Sequence, residues 1–178
     1  MKHKLPVMLA ACLWAGLPAA GGTEASAVVA VRCTVEPALA VAPREAVVDA
    51  GTVTCGEFSA TIRFQVRANR PAVSMFVQAS PMYKGDDPDS SDAKPIPLKT
   101  DPGVTVRTGQ SGTATFTGPG QTVDGFPTLR TEPLRFESTS QAGFSQDVHV
   151  TVTWNQDDPG RPRGQYGGRV KLMVMLLP

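Results

Sequence analysis

Apolar and polar residues alternate with a period of two along most of the chain, the signature of β-strands with one face turned to a core. In the clearest run, 60–68, Ile62, Phe64, Val66 and Ala68 share one face and Thr61, Arg63, Gln65 and Arg67 the other. A second run at 73–79 places Val73, Met75, Val77 and Ala79 together. Asn69-Arg70-Pro71 lies between them and reads as a turn, because proline presets φ and offers no N–H to a ladder. Shorter runs at 46–49, 51–55, 103–107, 113–117, 134–137 and 147–154 predict further strands. The chain then closes on Val170, Leu172, Val174 and Leu176, which share one face of a terminal strand. No sustained helical period appears beyond residue 27, so the expectation is an all-β chain of short strands arranged as a two-sheet sandwich.

The terminal strand raises a problem that organises the rest. A long apolar edge invites pairing with another chain, so it must be covered within the fold or serve as a place of assembly. The front of the chain poses the same question. Residues 28–37, Val-Val-Ala-Val-Arg-Cys-Thr-Val-Glu-Pro, also alternate and have no neighbour in sequence to bury them.

Residues 1–27 read as an export signal: Lys2 and Lys4 form a basic start, 5–17 an apolar run and 18–27 a small-residue stretch. Ala25-Ser26-Ala27 fits the cleavage rule, with Ala20-Gly21-Gly22 as an alternative, and the apolar run is too short to span a bilayer as a helix. Leu9-Ala10-Ala11-Cys12 is a poor lipoprotein box, since little apolar segment precedes Cys12 and more follows it. Residues 28–178 are the expected length of one domain. Removing Lys2, Lys4 and Glu24 from the 17 basic and 16 acidic residues leaves a balanced charge, which does not suit a nucleic-acid partner. Export also gives Cys33 and Cys55 an oxidising compartment. An even pair there is expected to form one disulfide, worth about 3 kcal/mol in the chain-entropy picture.

Candidate chemistry is sparse. His149 sits between Val148 and Val150 and so falls on the polar face of a strand. Ser111, in Gly109-Gln110-Ser111-Gly112, lacks the strand-to-helix elbow of a nucleophilic serine, and Gly118 and Gly120 precede no helix that could hold a phosphate. Trp154 follows Val148, Val150 and Val152 on the inward face, where it reads as a core aromatic rather than a sugar platform. Asp86, Asp87, Asp89 and Asp92 are spaced closely enough to suggest calcium but lack the EF-hand order and terminal glutamate, so they read as part of a solvated loop spanning 81–97. Further loops are expected at 118–125 and 156–164. No catalytic, cofactor or metal residue and no small-molecule substrate is expected.

An alternating segment just after the cleavage site, the step Val35-Glu36-Pro37, and the closing Gly164-x-Tyr166-x-Gly168 strand together resemble the pilin subunits of chaperone-usher fimbriae. The likeness is nearest to the alternate class that includes colonisation-factor type pili. It implies an immunoglobulin-like sandwich lacking its last strand, with the gap filled by the N-terminal extension of the next subunit. Carried onto this chain, residues 28–36 become the donor segment, with Val29, Val31 and Val35 as its alternate side chains. Val170, Leu172, Val174 and Leu176 become the strand bordering the acceptor groove. The implied partners are identical or related pilins, a periplasmic chaperone and an outer-membrane usher. The implied place is the periplasm and then a surface fimbrium used for adhesion or biofilm. The chain departs from the pattern in placing Cys33 inside the donor segment and in ending Leu176-Leu177-Pro178 without an aromatic. The competing reading is a self-complete secreted sandwich that binds a carbohydrate or partner protein. The two differ in whether 28–35 pair in cis with the C-terminal strand.

Overall fold

The computed structural model describes Ala30, residues 32–90 and residues 94–177; the expected signal at 1–27, together with Val29, Val31 and Asp92, lies outside them. The chain divides into Met1–Thr34 and a body, Val35–Pro178. Of the first unit, Ala30, Arg32, Cys33 and Thr34 are described, all exposed and outside any strand.

The described residues are all-β, with twelve antiparallel strands and no helix. They are β1 (Leu39–Pro43), β2 (Gly56–Ala68), β3 (Ala72–Ala79), β4 (Tyr83–Lys84), β5 (Val104–Arg107), β6 (Ser111–Ala114), β7 (Phe116–Pro119), β8 (Leu129–Thr131), β9 (Leu134–Glu137), β10 (Phe144–Gln156), β11 (Tyr166–Gly167) and β12 (Val170–Leu176). One five-stranded sheet runs β1-β2-β10-β5-β6; the other runs β12-β3-β8-β7, with β9 also pairing β3. Strands β4 and β11 form a separate short pair. The two large sheets contribute to a single hydrophobic core, an arrangement consistent with a β-sandwich.

The spine of the first sheet is the 13-residue pairing of β2 with β10, in register from Gly56 opposite Gln156 to Ala68 opposite Phe144. Its inward positions, including Phe64, Val66, Phe144, Val148, Val150 and Val152, are buried. Trp154 ends this row at 2% exposure, its indole N–H donating to the Ser80 carbonyl at 3.0 Å and its ring stacked on Phe58 at 5.9 Å. The second sheet is built on β3, which differs from a half-buried strand. Its outward residues Ser74, Phe76 and Gln78 are buried as well, with the Arg130 guanidinium 4.1 Å above the Phe76 ring.

Two of the predicted elements change sheet. The turn Asn69-Arg70-Pro71 joins β2 to β3, but those strands belong to different sheets, so it is a corner and not a hairpin. The corner is tight: Phe144 N–H donates to the Arg70 carbonyl at 2.9 Å, and Gly143 (φ 151°) passes so close that a Cβ there would lie 2.3 Å from the Ala68 carbonyl oxygen. The run 113–117 likewise breaks at Thr115 into β6 of one sheet and β7 of the other. Ala114 and Phe116 both remain buried, while Thr115 Oγ1 donates to Asp101 Oδ1 at 3.0 Å.

The predicted strands at 46–49 and 51–55 are not formed. Gly51 and Gly56 take φ values of 80° and 93°, and the Asp49 carboxylate accepts the Gly51 N–H at 2.8 Å in a local turn, which competes with any ladder. The strand that pairs the outer edge of β2 is instead β1. The expected loop at 81–97 is also partly ordered, through β4 and a bridge from Met82 to the buried Ile96.

Candidate strand-addition edge

Among the described residues, β1 and β12 each close one sheet with an unpaired edge, and their Cα atoms approach within 8 Å. In β12 the register against β3 sets Val170, Leu172, Val174 and Leu176 opposite Ala79, Val77, Met75 and Val73, all of which are buried. These four side chains therefore face the core. Only Leu172, at 7% exposure, is buried; the other three are half-buried against the core margin.

The backbone follows from the hydrogen bonds that flank the strand. Ser80 N–H donates to the Arg169 carbonyl at 2.9 Å, and Leu177 N–H donates to the Ala72 carbonyl at 3.2 Å. Antiparallel pairs alternate between bonded and non-bonded, so the odd-numbered residues of β12 exchange bonds with β3. The N–H and C=O groups of Val170, Leu172, Val174 and Leu176 then point to the free edge. Three of these four, Val170, Val174 and Leu176, thus combine a half-buried side chain with outward backbone, and Leu172 has outward backbone with a buried side chain.

The same logic applies to β1. Asn69 N–H donates to the Ala38 carbonyl at 3.1 Å and Arg44 N–H to the Arg63 carbonyl at 2.8 Å, leaving Leu39, Val41 and Pro43 with outward backbone. Leu39 and Val41 stand opposite core-facing Ala68 and Val66, yet are 38% and 37% exposed. Pro43 has no N–H, which limits pairing on β1; β12 contains no proline. A strand added to β12 would extend its sheet.

The expected donor residues fall partly beyond view: Val29 and Val31 lie outside the described residues. Val35 is 79% exposed, and none of Ala30, Arg32, Cys33, Thr34 or Val35 belongs to a strand. The chain is fastened to the body just after this point. Asn69 Nδ2 donates to the Glu36 carbonyl at 2.7 Å while its Oδ1 accepts from Ala38 N–H at 2.8 Å. The expected Cys33–Cys55 disulfide is not formed in this structure. Both thiols are free and exposed, each in a segment without strand pairing to fix its position.

Arg169, at the entrance to β12, was not singled out by the sequence pattern. It donates to both carboxylate oxygens of Asp86 at 2.8 Å, lies 3.5 Å from Asp124, and sits 4.3 Å above the Phe126 ring, whose edge meets Tyr83. Gly167 lets Asp86 approach, because a Cβ there would fall 2.2 Å from Asp86 Oδ1. The first acidic residue of the expected loop is therefore a tether to the terminal strand. The Arg169 hydrogen bond holds the Asp86 carboxyl below its ordinary value. A depressed folded-state pKa gives stability that is present above the unfolded value of about 4 and lost as pH falls through the folded one. Asp86→Asn should lower stability by under about 1 kcal/mol at pH 7, since the pair is half exposed, and the difference from wild type should shrink in urea titrations as pH falls below about 4.

His149 is exposed on the polar face of β10, between buried Val148 and Val150. Among the described residues no group of three or more His, Cys, Asp or Glu side chains is placed to hold a metal ion. No protein-family model matches the chain, no curated protein matches it in sequence, and no solved structure matches it in fold.

Proposed function

We propose that this chain is a structural subunit of a surface filament, a pilin that polymerises by donating an extended N-terminal segment to the open edge of a neighbouring copy. The reading treats the body as an immunoglobulin-like sandwich one strand short. The observation that carries it is β12, whose four core-facing residues turn free backbone groups to the edge, three of them, Val170, Val174 and Leu176, with half-buried side chains. Strand addition meets both needs at once, with main-chain bonds giving affinity and alternate side chains giving register. Because the contact is head-to-tail and does not close on itself, it generates a fibre. A chain with such an edge needs export and a periplasmic chaperone to shield it before assembly, and an outer-membrane usher to pass it to the surface. No catalytic role is assigned.

The test is size analysis of the exported protein carrying Val31→Asp. An aspartate in an apolar groove leaves a buried unpaired charge, at a cost of several kcal/mol to assembly. The variant should be a folded, soluble monomer while wild type forms filaments visible by electron microscopy. Filaments of normal length from the variant would sink the proposal. Unfolding of the variant monomer would instead make the front segment part of its own core and favour a closed binding module.

A further inference from the structure

The outer face of the β1-β2-β10-β5-β6 sheet is turned away from both the core and the terminal strand, and its cross-strand rows are polar. One row reads Thr61, Thr151, Thr105 and Thr113, and the next reads Arg63, His149, Arg107 and Ser111. The hydroxyls of Thr61 and Thr151 bond at 2.8 Å, as do those of Ser59 and Thr153, so this face is a braced array of donors and acceptors. The two carboxylates beside the arginine row are already engaged, Glu45 by Arg63 and Asp147 by Arg44 at 2.7 Å. Arg67 and Arg107 are exposed and carry no ion pair among the described residues. Uncompensated positive charge thus gathers on one end of a face of a chain whose formal net charge is only +1.

We propose that this face binds an anionic polysaccharide, with Arg67 and Arg107 pairing its sulfate or carboxylate groups and the threonine row hydrogen bonding its sugar hydroxyls. The planar guanidinium matches both anions through paired N–H donors. Sheet pairing fixes the backbone positions of Arg63, His149 and Arg107 in a row about 10 Å long, so the face presents its polar groups at a set spacing while the exposed arginine side chains order on binding. A lipid surface fits less well, because none of the large exposed apolar side chains, Val35, Leu39, Val41, Val47 and Met175, lies at an outward position of these rows. The inference does not depend on filament formation, since the face belongs to a single subunit.

The test measures binding of the exported full chain to immobilised dextran sulfate and to alginate, with neutral dextran as reference. Binding to at least one anionic polymer and not to dextran is expected, weakening steadily as salt is raised. Arg67→Ala with Arg107→Ala should weaken it about tenfold, with melting unchanged because both side chains are exposed. Arg135→Ala, which removes a guanidinium paired to Glu137 on the other sheet, should leave binding intact. The inference is overturned if neither anionic polymer is bound at low salt, if the double variant binds as wild type, or if Arg135→Ala weakens binding equally. Preference for phosphatidylglycerol vesicles over both polymers would also overturn it.

Discussion

Leu172→Asp is expected to yield almost no soluble, folded protein. Leu172 is the one buried side chain of β12, opposite Val77 near the middle of the strand's pairing with β3. An aspartate there is a charge without a partner, costing several kcal/mol in a domain whose whole stability is of order 5–15 kcal/mol. Met175, on the same strand but the opposite face, is 48% exposed, and Met175→Asp should change stability by less than about 1 kcal/mol. Far-UV circular dichroism and urea midpoints of the two variants separate the faces of β12. Equal damage from both would mean the register assigned to the strand is wrong. Val31→Asp, in contrast, is expected from the proposed donor role to act on assembly and not on the fold of the subunit that carries it.

The second large effect is expected at Trp154. Replacing it by alanine empties the end of the β10 core row, removes the stack on Phe58 and leaves the Ser80 carbonyl without its donor. A loss of about 3–5 kcal/mol is expected, read as a lowered urea midpoint at unchanged slope. Trp154→Phe keeps much of the volume and should recover more than half of that loss. A small effect of Trp154→Ala would show that Phe58 and the 81–97 segment can collapse into the space.

The strands that obey a single alternation were legible from the order of apolar and polar residues alone. The runs 60–68, 103–107, 134–137, 147–154 and 170–176 all correspond to strands, because each has one face on the core and one on solvent. What was not legible follows from tertiary context. Leu39–Pro43 is short, proline-flanked and exposed along its whole length, so it carries little period-two contrast although it pairs five residues of β2. Val47, 86% exposed, belongs to a short apolar run, 46–49, that has no partner strand, and Gly51 and Gly56 beyond it take positive φ. Leu129–Thr131 is only three residues long, too short to show an alternation. Pattern also could not separate a hairpin from a corner at Asn69-Arg70-Pro71, since both need the same turn chemistry.

The candidate edge was half visible. The face shared by Val170, Leu172, Val174 and Leu176 could be read from their spacing, but the free state of their backbone depends on which strand lies beside them. The contribution of Leu39 and Val41 was missed with their strand. Arg169 gave no signal at all, because its partners Asp86 and Asp124 are more than forty residues away in sequence and arrive through loops.

The most direct measurement is residue-resolved amide hydrogen exchange on β12 in the Val31→Asp monomer, with and without a peptide of residues 28–36. Without peptide, the amides of Lys171, Met173 and Met175, bonded to β3, should be protected, while those of Val170, Leu172, Val174 and Leu176 exchange rapidly. Adding the peptide should protect the second set, and a peptide carrying Val31→Asp should not. If the four even-numbered amides are already protected in the free monomer, or stay unprotected with saturating peptide, β12 is not an edge for strand addition and the proposed assembly is contradicted.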